Sequence, residues 1–261
     1  MKETRILNIL ICGIGGQGII SFGDFLKRYF FNNFNLINIV GTETRGVSQR
    51  EGSVISTIRI VYEHPIKRKT ESNKFIINSK KELIYLSPEI PLFNANIIIA
   101  FEPIEFIRNL KFANKNTILI VNNIPILPKN AIVNLISKNN NPIKEQPPEN
   151  LNNNTKISNY ENLRISNWDL THINSLKEKI KQYLFYAFFK DSNQSDKFEE
   201  YLSEKFFYLN FSEEIFGNVA NVTSVRDSSF KLLEFIIKII ESNKSNLNYQ
   251  DLFNKEIFNQ K

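Results

Sequence analysis

A short apolar run that passes directly into a glycine-rich turn is the feature that most constrains the fold of this chain. Residues 5–12 are mostly aliphatic and have the length of a β-strand. Gly13-Ile-Gly-Gly-Gln-Gly18 follows at once, and residues 19–31 then place apolar side chains at helical spacing. A second apolar run at 36–40 completes a strand–loop–helix–strand unit. Such a unit is typical of the first half of a doubly wound α/β sheet.

The rest of the chain adds strands and helices to this unit. Residues 53–62 alternate between apolar and polar side chains, many of them β-branched, and predict a third strand. Residues 97–101 and 117–121 are continuous apolar runs, typical of parallel strands covered on both faces. Further predicted elements are a short helix over 103–110, helical structure over 171–205, a strand over 206–211 and a long helix over 218–242. We therefore predict an α/β fold: a Rossmann-like open, mostly parallel sheet with helices on both faces, plus a mainly polar and helical insertion.

Two polar stretches interrupt the pattern. Residues 63–83 are basic and are interpreted as an inserted hairpin or extended loop. Residues 139–167 are dominated by Asn, Pro, Lys and Ser, with too little apolar surface to offset the entropy of ordering. We predict one α/β domain over 1–138 and 206–242, an Asn-rich linker and helical insertion over 139–205, and a C-terminal tail over 243–261.

Composition narrows the classes of protein that this chain can be. The single cysteine, Cys12, is too few for a disulfide framework or an iron–sulfur cluster, and two histidines argue against a His-based metal centre. The net charge of +6 is spread along the sequence and gives little support to a nucleic-acid partner. No apolar run approaches the ~20 residues that cross a bilayer, and the N-terminus lacks a signal-peptide pattern. We expect a cytoplasmic protein that holds no metal and binds neither nucleic acid nor a membrane.

The glycine turn is the first candidate site. Gly13-x-Gly15-x-x-Gly18 after a strand and before a helix matches a dinucleotide fingerprint, and the helix N-terminus offers N–H groups to an anion. An NAD site also requires an acid at the end of the second strand. That strand ends in Val40-Gly-Thr42, and the first acid is Glu43. The alternative is that the glycines only allow the helix to pack tightly on the strand, and the residues alone leave both interpretations open.

The second candidate site is the charged segment over residues 41–53, between two predicted strands. It contains Glu43, Arg45, Gln49, Arg50 and Gly52 at the carboxyl end of a strand, where ligands and partners meet open α/β sheets. Two arginines suit the recognition of a carboxylate or phosphate. The alternative is a solvated loop whose charges pair with one another and contribute little. We favour the functional interpretation.

Together, these segments resemble the gamma domain of 2-oxoacid:ferredoxin oxidoreductases, with the beta subunit of indolepyruvate:ferredoxin oxidoreductase as the nearest type. The matching motifs begin with residues 13–19 and 43–54. Further stretches that agree in order are Tyr85–Pro91, Ala95–Glu105, Val121–Pro125 and Gly217–Asn221. The chain departs from the family pattern at Glu51, where the family has a glycine. If the family glycine has a positive φ at this position, the backbone of Glu51 would be strained by about 1–2 kcal/mol.

The resemblance implies a required subunit without chemistry of its own. The reaction would be the oxidative decarboxylation of indolepyruvate or another arylpyruvate to an acyl-CoA and CO2, with electrons passed to ferredoxin. The resemblance implies no cofactor in this chain: thiamine diphosphate and 4Fe–4S clusters are expected in a large partner subunit, with coenzyme A as co-substrate.

The resemblance also implies which residues meet a ligand or the partner, and none of them is expected to be catalytic. These residues are Gly13, Gly15, Gly16, Gln17, Gly18, Glu43, Arg45, Gln49, Arg50 and Gly52. Three alternatives stay open: a gamma subunit of a pyruvate or 2-ketoisovalerate enzyme, a free-standing NAD- or FAD-binding Rossmann protein, and a stand-alone nucleotide-binding regulator.

Overall fold

A computed structural model describes residues 3–46, 52–67, 86–126, 173–189, 195–216, 225–243, 247 and 249–253. Its strands are β1 (Glu3–Ile14), β2 (Leu36–Arg45), β3 (Ser53–His64), β4 (Ile97–Ala100), β5 (Ile118–Asn122) and β6 (Phe206–Leu209). Its α-helices are α1 (Ile19–Asn33), α2 (Pro103–Asn109), α3 (Ile173–Phe188), α4 (Ser195–Lys205) and α5 (Val225–Ser242). Short turns of 3-10 or π helix lie at Leu110–Phe112, Phe211–Ile215 and Gln250–Leu252.

The strands form one six-stranded sheet in the order β2-β3-β1-β4-β5-β6. β1, β4, β5 and β6 pair in parallel, whereas β3 is antiparallel to both β1 and β2. β3 is the only reversed strand among those described, so the sheet is mostly parallel, which confirms the predicted α/β class. The pairing differs from a classical dinucleotide fold in one respect, because β3 separates β1 from β2. The short connection between β2 and β3 allows these strands to pair directly as neighbours.

Helices cover both faces of the sheet, as predicted. Side chains alternate along β1, with Leu7, Ile9 and Ile11 on one face and Leu10 and Cys12 on the other. The first face packs against α1 and α5, and the second against α2, α3 and α4. The continuous apolar runs of β4 and β5 follow from this arrangement, since each successive side chain enters one of two cores.

The predicted helical part of 171–205 contains α3 and α4, which lie between β5 and β6 in the chain. Parallel strands need such a crossover, because a tight turn cannot join them. On α3 the side chains of Leu176, Ile180 and Leu184 are fully buried against the sheet. Residues 127–172 and 190–194 lie outside the described residues, as does most of the predicted insertion at 63–83, so the domain boundaries stay a prediction.

The described parts of the C-terminal segment pack into the core between α1 and α5. Leu247, Tyr249, Leu252 and Phe253 are buried there, and the Phe253 ring meets Phe30 edge-on at 5.4 Å between centroids. Helix α5 is described from Val225, so the start predicted at residue 218 lies outside the described residues. No described helix has both the length and the apolar character needed to cross a membrane.

Candidate functional site

The glycine turn lies at the carboxyl end of β1, and its geometry explains three of its glycines. A side chain at Gly13 would place its Cβ 2.6 Å from Gln17 Oε1 and 3.0 Å from Phe101 Cβ. Gly16 and Gly18 have φ values of 98° and 80°, in the left-handed region that favours glycine. Gly13 is therefore needed for close packing, and the other two for the path of the backbone.

Gln17 fixes this turn to the neighbouring strands through both polar atoms of its side chain. Ile14 N donates to Gln17 Oε1 at 2.7 Å, and Gln17 Nε2 donates to the Phe101 carbonyl at 3.0 Å. Asn122 Nδ2 donates to the same carbonyl at 3.0 Å. Gln17 thus holds the ends of β1 and β4 together, a structural role that the sequence did not indicate.

The N-terminus of α1 opens from this turn at the carboxyl edge of the sheet. Its N-cap is Gly18, which provides no side chain to cap the first N–H groups, and the first helical turn contains no acid. Gly16 is exposed, and Gly15, Gln17 and Gly18 are half-buried. An uncapped helix start without a negative charge suits an anion or a polar partner surface.

The structure joins the charged segment to the glycine turn through Gly52. Gly15 N donates to the Gly52 carbonyl at 2.9 Å. Arg45 pairs in register with Val54, which in turn pairs with Gly13, so Arg45 is level with the turn but two strands away. At the usual strand spacing, that separation is about 10 Å. Gln49 and Arg50, together with Glu51, lie outside the described residues.

The position of Glu43 weighs against the NAD interpretation. Its carboxylate lies 3.5 Å from Lys27 Nζ and 3.7 Å from Arg45 Nη2. It also belongs to β2, which is not a neighbour of β1. In a dinucleotide site, the ribose acid follows the strand beside β1. Here Glu43 pairs with Lys27 and Arg45, and its strand is separated from β1 by β3.

Sequence reasoning missed two buried acids, Glu102 and Glu105, as site residues. They follow β4 at the same edge of the sheet and are only 1% and 3% exposed. Glu102 caps α2 by accepting from Glu105 N at 2.8 Å, and it also accepts from Ile126 N at 3.3 Å. An acid at the N-cap with proline next is a recognised start of a helix, so the segment Glu102-Pro-Ile-Glu105 after an apolar strand could have revealed them.

Glu105 links α2 to the glycine turn. Ser53 Oγ donates to Glu105 Oε2 at 2.6 Å, and Arg108 pairs with the other carboxylate oxygen. Ser53 adjoins Gly52, the residue that accepts from Gly15, so three chain segments form one hydrogen-bonded unit. The unit holds the backbone of the turn in place.

The ionisation of Glu102 is altered by its surroundings. Burial raises the pKa of its carboxyl to about 7, against the effect of backbone N–H groups that favour the charged form. The nearby Tyr208 is also affected: burial, with a smaller contribution from Glu102, raises the pKa of its hydroxyl to about 12. The hydrogen bonds of Glu102 within the described residues tie the start of α2 to Ile126.

The described residues contain no group of three or more His, Cys, Asp or Glu side chains that could hold a metal ion. Cys12 is fully buried, and burial raises the pKa of its thiol well above the usual range. A thiol in that state is a poor nucleophile and a poor metal ligand.

Comparisons with known proteins show which family the chain belongs to. A sequence model described as pyruvate ferredoxin/flavodoxin oxidoreductase matches residues 8–160, which include both the glycine turn and the Glu102–Glu105 pair. An indolepyruvate oxidoreductase subunit IorB of Archaeoglobus fulgidus is 34% identical over 122 residues, 47% of this chain and 49% of that protein. The subunit of the same name from Methanothermobacter thermautotrophicus is 32% identical over 125 residues, 48% of this chain and 52% of that protein.

The chain spans about half the length of the curated relatives it matches. Among solved structures, the pyruvate oxidoreductase subunit PORC of Thermotoga maritima is 12% identical, with a TM-score of 0.29 over 50% of this chain and 56% of that one. The sequence match to the family covers more than half of the 261 residues. The chain therefore belongs to the pyruvate ferredoxin/flavodoxin oxidoreductase family.

Proposed function

We propose that this chain is a subunit of a 2-oxoacid:ferredoxin oxidoreductase of the indolepyruvate type, required by the complex and without catalytic residues of its own. The observation that carries the proposal is the family match over residues 8–160, together with relatives named as indolepyruvate oxidoreductase subunits. The carboxyl edge agrees with such a role, since the described polar groups Gln17, Ser53 and Glu105 are engaged in holding the glycine turn. We place the complex in the cytoplasm.

The proposed division of labour assigns the cofactors to a large partner subunit. The residues of this chain do not fit an iron–sulfur cluster, because its one cysteine is buried within the sheet. Thiamine diphosphate and the 4Fe–4S clusters would therefore belong to the partner, where thiamine supplies the carbanion chemistry. The overall reaction converts an arylpyruvate and coenzyme A to an acyl-CoA and CO2, and two electrons pass to ferredoxin.

We assign the glycine turn to the contact with the partner subunit or with coenzyme A. Gly15, Gly16 and Gly18 present backbone at the uncapped start of α1, with Arg45 and Gly52 at the same edge. Arg45 is 68% exposed in its side chain, so its charge is available to a partner or to the phosphates of coenzyme A. We place Gln49 and Arg50 in the same contact, on the basis of their position in the sequence.

The test is a reconstitution. The purified chain should be colourless and free of iron, and it should show no decarboxylation of indolepyruvate. Mixed with its cognate large subunit, it should form a hetero-oligomer and restore reduction of ferredoxin or a viologen dye with indolepyruvate and coenzyme A. Equal turnover of the large subunit with and without this chain would show that it is not a required subunit. Stronger restoration with pyruvate or 2-ketoisovalerate would instead identify a different substrate type.

A further inference from the structure

A polar cleft lies at the edge of the sheet opposite the glycine turn. It has a volume of about 430 Å³ and is formed where β4, β5 and β6 begin. The residues that matter in its lining are Ile6, Asn8, Arg59, Asn96, Lys205 and Tyr249. A volume of this size falls within the range of small-molecule sites, which is about 300–1,000 Å³.

The central feature of the cleft is a buried cation. Arg59 is only 6% exposed, and its Nε donates to Asn8 Oδ1 at 2.9 Å. Its Nη1 donates to the carbonyls of Ser87 and Glu89 at 2.7 and 3.0 Å. Within the part of the chain that the structure describes, Nη2 has no hydrogen-bond partner and no Asp or Glu forms an ion pair with this guanidinium. A buried charge without a counter-charge is costly, because neutral carbonyls replace only part of its hydration.

Other groups around the cleft also favour a negative charge. Asn96 Oδ1 accepts from Asn8 N at 2.8 Å, while Asn96 Nδ2 has no partner among the described residues. The one hydrogen bond of Lys205 Nζ within the described residues is a long one, 3.3 Å to the carbonyl of Lys115. Among the described residues of the lining none is acidic, and Ile6 and Tyr249 supply apolar surface beside the donors.

We infer that this cleft binds the oxyanion group, a carboxylate or a phosphate, of a small organic ligand. Arg59 would hold the oxyanion and Asn96 would donate a hydrogen bond to it, while Lys205, at the β6 end of the lining, would add a more distant positive charge. The apolar body of the ligand would lie against Ile6 and Tyr249. The site is independent of the proposed subunit function, because it lies at the other end of the strands from the glycine turn.

The experiment is a calorimetric titration of the full chain at constant ionic strength, with sodium chloride as the background salt. Inorganic phosphate tests the tetrahedral anion, and benzoate tests a carboxylate on an apolar body. We expect saturable binding of at least one probe. Tighter binding of phosphate would identify a phosphate ester as the ligand class, and tighter binding of benzoate an organic carboxylate. Both results support the site.

Two variants and a control locate the binding. Lys205→Met should weaken the affinity about twofold, the effect expected for loss of one positive charge about 10 Å from the anion in water. Arg59→Met should abolish binding; if that variant does not fold, the Lys205 variant alone decides. Lys238→Met changes the same charge on the far helix α5, where Lys238 pairs with Glu234 at 3.2 Å, and should bind normally. Absence of saturable binding for both probes would overturn the inference, as would equal affinities in Lys205→Met and Lys238→Met.

Discussion

Replacing Glu102 with glutamine should change how the stability of this protein depends on pH. Glu102 is 1% exposed and lies between the ends of β4 and α2, where burial raises the pKa of its carboxyl to about 7 from an ordinary value of 4.5. At about 1.4 kcal/mol per pH unit, that difference corresponds to about 3 kcal/mol of unfolding free energy. Glutamine keeps the size of the side chain and one acceptor for Glu105 N, but it does not ionise.

The sign follows from where the proton is held. Between pH 4.5 and about 7, the folded state keeps a proton on Glu102 that the unfolded state has lost. The unfolding free energy of the natural protein therefore falls as the pH rises through this window and levels off above it. At pH 5 the two proteins should be close in stability, whereas at pH 8 Glu102→Gln should be the more stable by up to about 3 kcal/mol.

Urea denaturation at pH 5, 6, 7 and 8 measures this difference, because titrating groups remote from Glu102 contribute equally to both proteins and cancel, and Tyr208, with a pKa of about 12, does not titrate in this range. Thermal unfolding should show the same trend, at roughly 2–4 °C per kcal/mol for a protein of about this size. Glu234→Gln serves as the control, since Glu234 is half exposed on α5 and pairs only with a surface lysine. Parallel pH profiles for the natural protein and Glu102→Gln would refute the reasoning.

Four further predictions follow from the carboxyl edge. Gly16→Val should lower the unfolding free energy in urea by about 1–3 kcal/mol, because φ is 98° there although the space around the Cβ position is open. Ser53→Ala should cost about 1–3 kcal/mol in the same assay, since it leaves a buried oxygen of Glu105 without its 2.6 Å hydrogen bond. Calorimetry should detect no micromolar binding of NADH, because the second strand, β2, does not lie beside β1 and its acid, Glu43, pairs with Lys27 and Arg45. Arg50→Ala should reduce the dye reduction restored to the large subunit, while the unfolding free energy of the chain stays unchanged.

The sequence predicted most elements of the fold, because burial on two faces leaves a clear pattern. Helix α1 begins at Ile19 as expected and ends at Asn33, two residues beyond the predicted end. The order of pairing was not predictable from the same pattern. The apolar residues of β3, which is buried on both faces, do not tell whether β2 or β3 lies beside β1. The twelve-residue register between β1 and β3 shows that β3 lies there, with β2 on its other side.

The candidate site was predictable where a residue's role is local. The need for glycine at positions 16 and 18 follows from a turn formed by adjacent residues. The link that Glu105 makes to the glycine turn depends on a partner far along the chain, Ser53, which is 52 residues before it. Their burial also depends on neighbouring strands, so the raised pKa of Glu102 has no sequence signature.

The position of β3 has a consequence for the chemistry of the glycine turn. In a dinucleotide fold, the turn after β1 meets the cofactor's phosphates while an acid on the adjacent strand holds the ribose. Here β3 takes the place of β2 as the neighbour of β1, and it runs in the opposite direction and begins, not ends, at this edge. The residues it places beside the turn are Gly52, bonded to Gly15, and Ser53, bonded to Glu105. Gly52 and Ser53 thus occupy the side of the glycine turn where a ribose would lie. The exposed face at Gly16 and the start of α1 is left for contact with a partner or an anion.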